Sequence, residues 1–162
     1  LVILMFSAMV SGALLQRYEG AIAAVPLLVS FIPMLMDTGG NSGSQASTMI
    51  IRGMALDEIE LSDIFQVWWK EVRVAVINGL ILGVLLGLVV LIWFHNPGLA
   101  AVIAVALTAN FTFAALGGVF VPVTLKRFGF DPALAGGVIL TTITDTLGFL
   151  TFLGLATLIL LR

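Results

Sequence analysis

Runs of apolar residues occupy almost the whole chain and leave no room for the polar surface that a water-soluble fold needs. Charged and helix-breaking residues cut the sequence into five such runs, at about 1–16, 21–54, 66–94, 99–125 and 132–161. Hydrophobic residues fill 60% of the 162 positions and charged residues 10%, with a mean hydropathy of +1.20. Soluble domains carry about 25% charged residues, so a soluble catalytic domain is excluded. About 20 apolar residues cross a bilayer, and lipid offers no partner to a free backbone N–H or C=O. The predicted fold is therefore an all-α membrane protein of five transmembrane helices, one ion-conducting domain over residues 1–162.

The links between the runs are short and set the orientation. Arg17 and Glu19 lie in the first, residues 55–65 are acidic, HNPG at 95–98 is a turn, and KRFGFDP at 126–132 ends in a Pro suited to a helix start. Arg52, Lys70, Arg73, Lys126 and Arg127 fall on one side, against Arg17 and Arg162 on the other. The excess of basic residues predicts a cytoplasmic N-terminus and an outer C-terminus. Trp68 and Trp69 at one end of the third run and Trp93 at the other stand at interfacial positions, about 37 Å apart along a helix. Leu1 opens inside an apolar run without a basic leader or cleavage site, so the expectation is a span cut from a longer protein rather than a signal peptide. Cysteine is absent and histidine occurs once, which excludes disulfide staples and thiolate or His-cluster metal sites. Nucleic acid is not an expected partner, because the seven Lys and Arg form no basic stripe.

Two features resist a lipid environment. Asp145 stands 13 residues after Pro132, about 20 Å along a helix and well inside a hydrocarbon layer of about 30 Å. An ionisable group at that depth costs about 2.5–3.5 kcal/mol or more and marks a bundle interior or an ion path. Thr141, Thr142 and Gly148 share its helix face. The second feature is DTGGNSGSQAST, residues 37–48, within a run whose 34 residues would reach about 51 Å as one helix. Pro26 and Pro33 upstream predict a bend. Asp37, Asn41, Gln45 and the serines supply hard oxygen atoms, and the glycines allow close helix approach. Pore lining and small-residue packing are both open to this run. Oxygen-only ligands with one or two carboxylates suit hydrated Mg²⁺ better than Ca²⁺, which gathers six to eight direct oxygens. This chemistry does not separate Mg²⁺ from Mn²⁺ or other divalent cations. Two chains about a two-fold axis would bring two copies of Asp145 to one path.

PMLMDTGGNSGSQAST at 33–48 and TTITDTLGF at 141–149 resemble the two signature stretches of the MgtE family of magnesium channels. The resemblance covers the whole chain. It implies a homodimeric Mg²⁺ pore in the cell inner (plasma) membrane, lined by the second and fifth helices. Asp145 matches the acidic residue that recognises hydrated Mg²⁺, with Thr141 in the same motif. Gly40, Asn41 and Gln45 match the second-helix motif, and Asp37 matches a position that is acidic in only part of the family. Cytoplasmic N-terminal and CBS domains with a connecting plug helix are implied partners in the full-length chain.

Smaller features carry smaller expectations. Gly79, Gly83 and Gly87 form a small-residue stripe for close packing, and Asn78, Thr108, Asn110 and Thr112 are expected to hydrogen-bond between helices. In the acidic link, Asp57, Glu58, Glu60 and Asp63 alternate with Leu56, Ile59, Leu61 and Ile64, as in a solvated interfacial segment. Lys70, Glu71 and Arg73 read as cytoplasmic topology markers. An intramembrane serine protease using Ser42 and His95 is opposed by topology, which separates the two by well over about 15 Å. A carrier coupled to Na⁺ or H⁺ would use the same residues as a channel. A passive membrane anchor would leave the polar run unexplained.

Overall fold

The computed structural model describes residues 2–60 and 62–161; Leu1, Leu61 and Arg162, which entered the reading of the first run, the acidic link and the outer charges, lie outside the described residues. Six helices form: α1 (Val2–Arg17), α2 (Glu19–Ala24), α3 (Leu28–Ala55), α4 (Ile64–Phe94), α5 (Pro97–Arg127) and α6 (Pro132–Leu160). Two helix starts follow directly from local chemistry. The Asn96 side chain accepts the Leu99 N–H at 3.0 Å ahead of Pro97, and Asp131 accepts the Ala133 N–H at 2.9 Å ahead of Pro132. Each cap satisfies a donor that the helix leaves free, and each Pro sits where no N–H is missed. His95 closes α4 at φ 52°, and Gly129 turns the α5–α6 link at φ 78°.

The second run breaks at the first of the two prolines expected to bend it. It divides at residues 25–27 into the short α2 and the long α3, so six helices replace five. The break falls at Pro26, whereas Pro33 is carried inside α3. As the sixth residue of α3, Pro33 leaves the Val29 carbonyl without the N–H that a helix would otherwise offer it.

α5 is the hub, packed against α3, α4 and α6, while α1 lies along α6. Glycines set how closely the backbones approach. A Cβ at Gly79 would stand 2.8 Å from Thr108 Cα, at Gly83 2.6 Å from the Ala104 carbonyl oxygen, and at Gly87 3.1 Å from that of Ala100. The stripe on the third run therefore packs within the chain. On the other side of α5, a Cβ at Gly118 would meet the Gly43 carbonyl oxygen of α3 at 2.9 Å.

Thr108 and Thr112 do not bridge helices as expected. Each donates to a carbonyl four residues back in α5, at 2.9 and 2.8 Å, because a hydroxyl in mid-helix finds that acceptor first. Asn78 is exposed and makes no interhelical bond among the described residues.

Antiparallel succession brings Arg52, Lys70, Arg73, Lys126 and Arg127 to one end of the bundle. That end is closed by Ile50, Met54 and Val119 with Ile59, Ile64 and Trp68 against them. Lys126 Nζ donates to the Met54 carbonyl at 3.0 Å, tying the end of α5 to the end of α3. At the other end, Phe31 and Phe94 meet edge to face at 6.2 Å.

Among the described residues, three stretches are long and apolar enough to cross a bilayer by length and composition: Ile64–Phe94, Pro97–Arg127 and Gly136–Leu160. α1 has 16 residues, and the 28 residues of α3 include the polar run. Replacing Gly83 by Val should lower the thermal stability of the detergent-solubilised protein by about 1–3 kcal/mol, since the α5 backbone cannot yield to the added carbons. Gly12→Ala, with open space around it in the interior of α1, should not lower the melting temperature, since Ala favours a helix over Gly by about 0.5–1 kcal/mol.

Candidate functional site

Asn41, Asn78, Asn110 and Asp145 each stand within about two residues of the middle of their helix. The four long helices thus each carry a polar residue near half-height, the level at which lipid tolerates it least. Only Asn110 is fully buried in the bundle, at 1% exposure. Its amide Nδ2 donates to the Leu35 carbonyl of α3, which also accepts from the Thr38 hydroxyl at 3.0 Å. Asn110 reaches that backbone because Gly39 has no side chain, and a Cβ there would fall on the amide. Asn110 lies also beside Gly148, so this one side chain joins α3, α5 and α6. It makes the expected interhelical bond, and Asp145 has no side-chain hydrogen bond among the described residues.

The polar run of α3 is continuous helix, and the 3.6-residue repeat sorts it into two faces. Gly39, Gly43, Ala46 and Ser47 are buried, whereas Asp37, Asn41, Gln45 and Thr48 are exposed along the opposite side. Packing and lining, which the sequence left as alternatives, are thus assigned to different faces of one helix.

Between these faces, Gly40 looks onto Thr141 of α6: a Cβ at Gly40 would be 3.9 Å from Thr141 Cγ2. This contact brings the two motif helices together about one turn from Asp145. Asp145 itself is half-buried. Below it toward the basic end, α3 and α6 part to leave a cleft of about 360 Å³ lined by Ser44, Ser47, Thr48, Arg52 and Gly137. Thr141 donates to the Gly137 and Val138 carbonyls at 3.1 Å, and Thr142 to Val138 at 2.8 Å. Their hydroxyl protons are spent within the helix, which leaves oxygen lone pairs to accept hydrogen bonds from water or a hydrated ion.

The structure therefore brings Gly40, Thr141 and Asp145 to the α3–α6 seam and sets Asn41, Gln45 and Asp37 on the adjoining open face of α3. Ser42 points to the other flank, toward α4, and His95 lies at the far end of α4, so the two do not pair. Among the described residues, no three His, Cys, Asp or Glu side chains gather as a metal cage. Sequence reasoning undervalued Gly39 and Gly148: the signal was their helical register with Asn110, legible only once the helices are placed.

A multi-pass helical bundle with half-height polar groups on an open seam is the architecture of a membrane transport domain. The MgtE profile, described as divalent cation transporter, matches residues 32–155, and the chain belongs to that family. It is 40% identical over 161 residues to the magnesium transporter MgtE of Thermus thermophilus, covering 99% of this chain and 35% of that protein. It is 32% identical over 157 residues to the MgtE of Bacillus subtilis, and 31% over 156 to that of Enterococcus faecalis, covering 97% and 96% of this chain. The chain spans about a third of the length of these curated relatives. The family is one of transporters, not of enzymes.

Asn110→Ala should cost roughly 0.6–1.7 kcal/mol of stability, the range for interhelical hydrogen bonds in membranes. Gly39→Ala should cost at least as much by displacing the same amide. Thermal unfolding in one detergent checks both.

Proposed function

We propose that this chain is the membrane domain of a Mg²⁺ channel, working as a homodimer whose pore lies on the two-fold axis and is lined by α3 and α6. The observation that carries this reading is the exposed face Asp37, Asn41, Gln45 and Thr48 beside half-buried Asp145. Such a face cannot meet hydrocarbon at half-height without a cost of several kcal/mol. A second copy closing over it would enclose water and place two Asp145 carboxylates across one path.

Asp145 supplies the charge that selects a cation. The Thr141 hydroxyl and the Asn41 and Gln45 amide oxygens accept hydrogen bonds from the waters Mg²⁺ retains. Gly40 keeps the seam narrow without covering the path, and Asp37 adds negative charge farther along the same face. Mn²⁺ and other small divalent cations fit the same chemistry. In this reading α1 and α3 also cross, giving five spans with the basic end and the N-terminus in the cytoplasm and the C-terminus outside the cell inner membrane. In this reading the full-length protein also carries the cytoplasmic N-terminal and CBS domains that the family resemblance implies, and these would gate the pore. At about −100 mV, entry of a divalent ion is favourable by about 4.6 kcal/mol, so no coupling ion is required.

Proteoliposomes with an imposed membrane potential and no Na⁺ or H⁺ gradient should take up Mg²⁺, and Asp145→Ala should abolish that uptake. Asp145→Asn, nearly equal in volume, should keep the fold and lose selective binding. Uptake that requires a Na⁺ or H⁺ gradient would replace the channel by a coupled carrier of the same fold. Wild-type Mg²⁺ affinity in Asp145→Asn would remove Asp145 from the selecting role.

A further inference from the structure

A second carboxylate faces protein on the flank of α3 opposite the α6 seam. α3 and α4 both rest on α5 but scarcely touch each other. The gap between them is a crevice of about 200 Å³, walled by Ser42 and Gln45 of α3 and by Glu71 and Asn78 of α4, over the small side chains Ala75 and Ala115. Glu71 is seven residues into α4, about 10 Å from its start, and Asn78 is two helical turns deeper. A 31-residue helix overhangs a layer of about 30 Å by about 8 Å at each end, so the crevice runs inward from the hydrocarbon boundary.

The bases beside Glu71 do not neutralise it within the crevice. Arg73 is held over the Trp69 ring at 5.8 Å, and Lys70 is exposed. Glu71, which the sequence placed among topology markers, also lines a pocket whose other polar groups are a hydroxyl and two amides. All four supply oxygen acceptors, the donor set of a hard cation. Six waters at about 30 Å³ each occupy about 180 Å³, so the space suits an ion that keeps its hydration shell.

We propose that this crevice is a second cation site, distinct from the α3–α6 seam, which holds a hydrated divalent cation through Glu71 with Ser42, Gln45 and Asn78 accepting from its waters. Gln45 borders both the crevice and the open polar face of α3, so one side chain connects the two places. The site rests on the chemistry of the crevice and not on the channel reading.

The test is equilibrium Mn²⁺ binding to the purified protein, followed by the electron paramagnetic resonance signal of free Mn²⁺, in an Asp145→Asn background that removes the charge at the seam. That variant should retain a saturable Mn²⁺ site that Mg²⁺ displaces, and adding Glu71→Gln should weaken it roughly tenfold or more. Ser42→Leu, which fills the crevice and keeps the carboxylate, should weaken it as well. Binding unchanged by Glu71→Gln, absent already in Asp145→Asn, or insensitive to Ser42→Leu would overturn the proposal. Failure of Mg²⁺ uptake in proteoliposomes would leave this binding intact, so the two readings fail separately.

Discussion

Helices in lipid gain nothing by leaving water, so this bundle depends on how closely its backbones approach one another. α5 makes such approaches on two opposed sides. Gly83 of α4 stands where a side chain would strike the Ala104 carbonyl, and Gly118 of α5 stands where one would strike Gly43. Dispersion acts only at contact distance, and glycine lets many atoms reach it at once. A small residue on one helix therefore has consequences for the placement of another helix.

The same constraint shapes the polar run. Four of its twelve residues, Gly39, Gly43, Ala46 and Ser47, are small and buried, and four on the opposite side, Asp37, Asn41, Gln45 and Thr48, are polar and exposed. Asn110 fixes the register between them by bonding to the Leu35 carbonyl that Gly39 exposes. With α3 locked in that rotation, Gly40 meets Thr141 and the amides turn outward beside Asp145. The packing face thereby sets the direction of the exposed polar face. Ser42 and Gln45, three residues apart, both border the crevice on the α4 flank, and Gln45 also borders the open face.

Much of this was legible in the chain. The helix start at Pro132 was visible because such a start is local, whereas HNPG was read only as a turn although Asn96 caps α5 there. The depth of Asp145 followed from counting residues after Pro132. The division at Pro26 was anticipated only as a bend, since either of two prolines could have produced it. Thr108 and Thr112 were misjudged as bridges because sequence alone does not reveal whether a hydroxyl bonds within its own helix. Glu71 was read with Lys70 and Arg73 as a cytoplasmic topology marker, and nothing local indicated that it also lines the gap between α3 and α4.

Composition and periodicity by themselves determined a helical membrane domain, its polar stretches and the place of Asp145 near the middle of its helix. These depend on the thickness of the bilayer and the rise of a helix, both independent of what lies alongside. Tertiary structure decided which face of α3 is buried, which glycines are contacts, and that Gly40 and Thr141 meet. It also decided that Glu71 faces a crevice. These outcomes depend on rotation of one helix against another, which is set by side chains distant in sequence that must fill the same space.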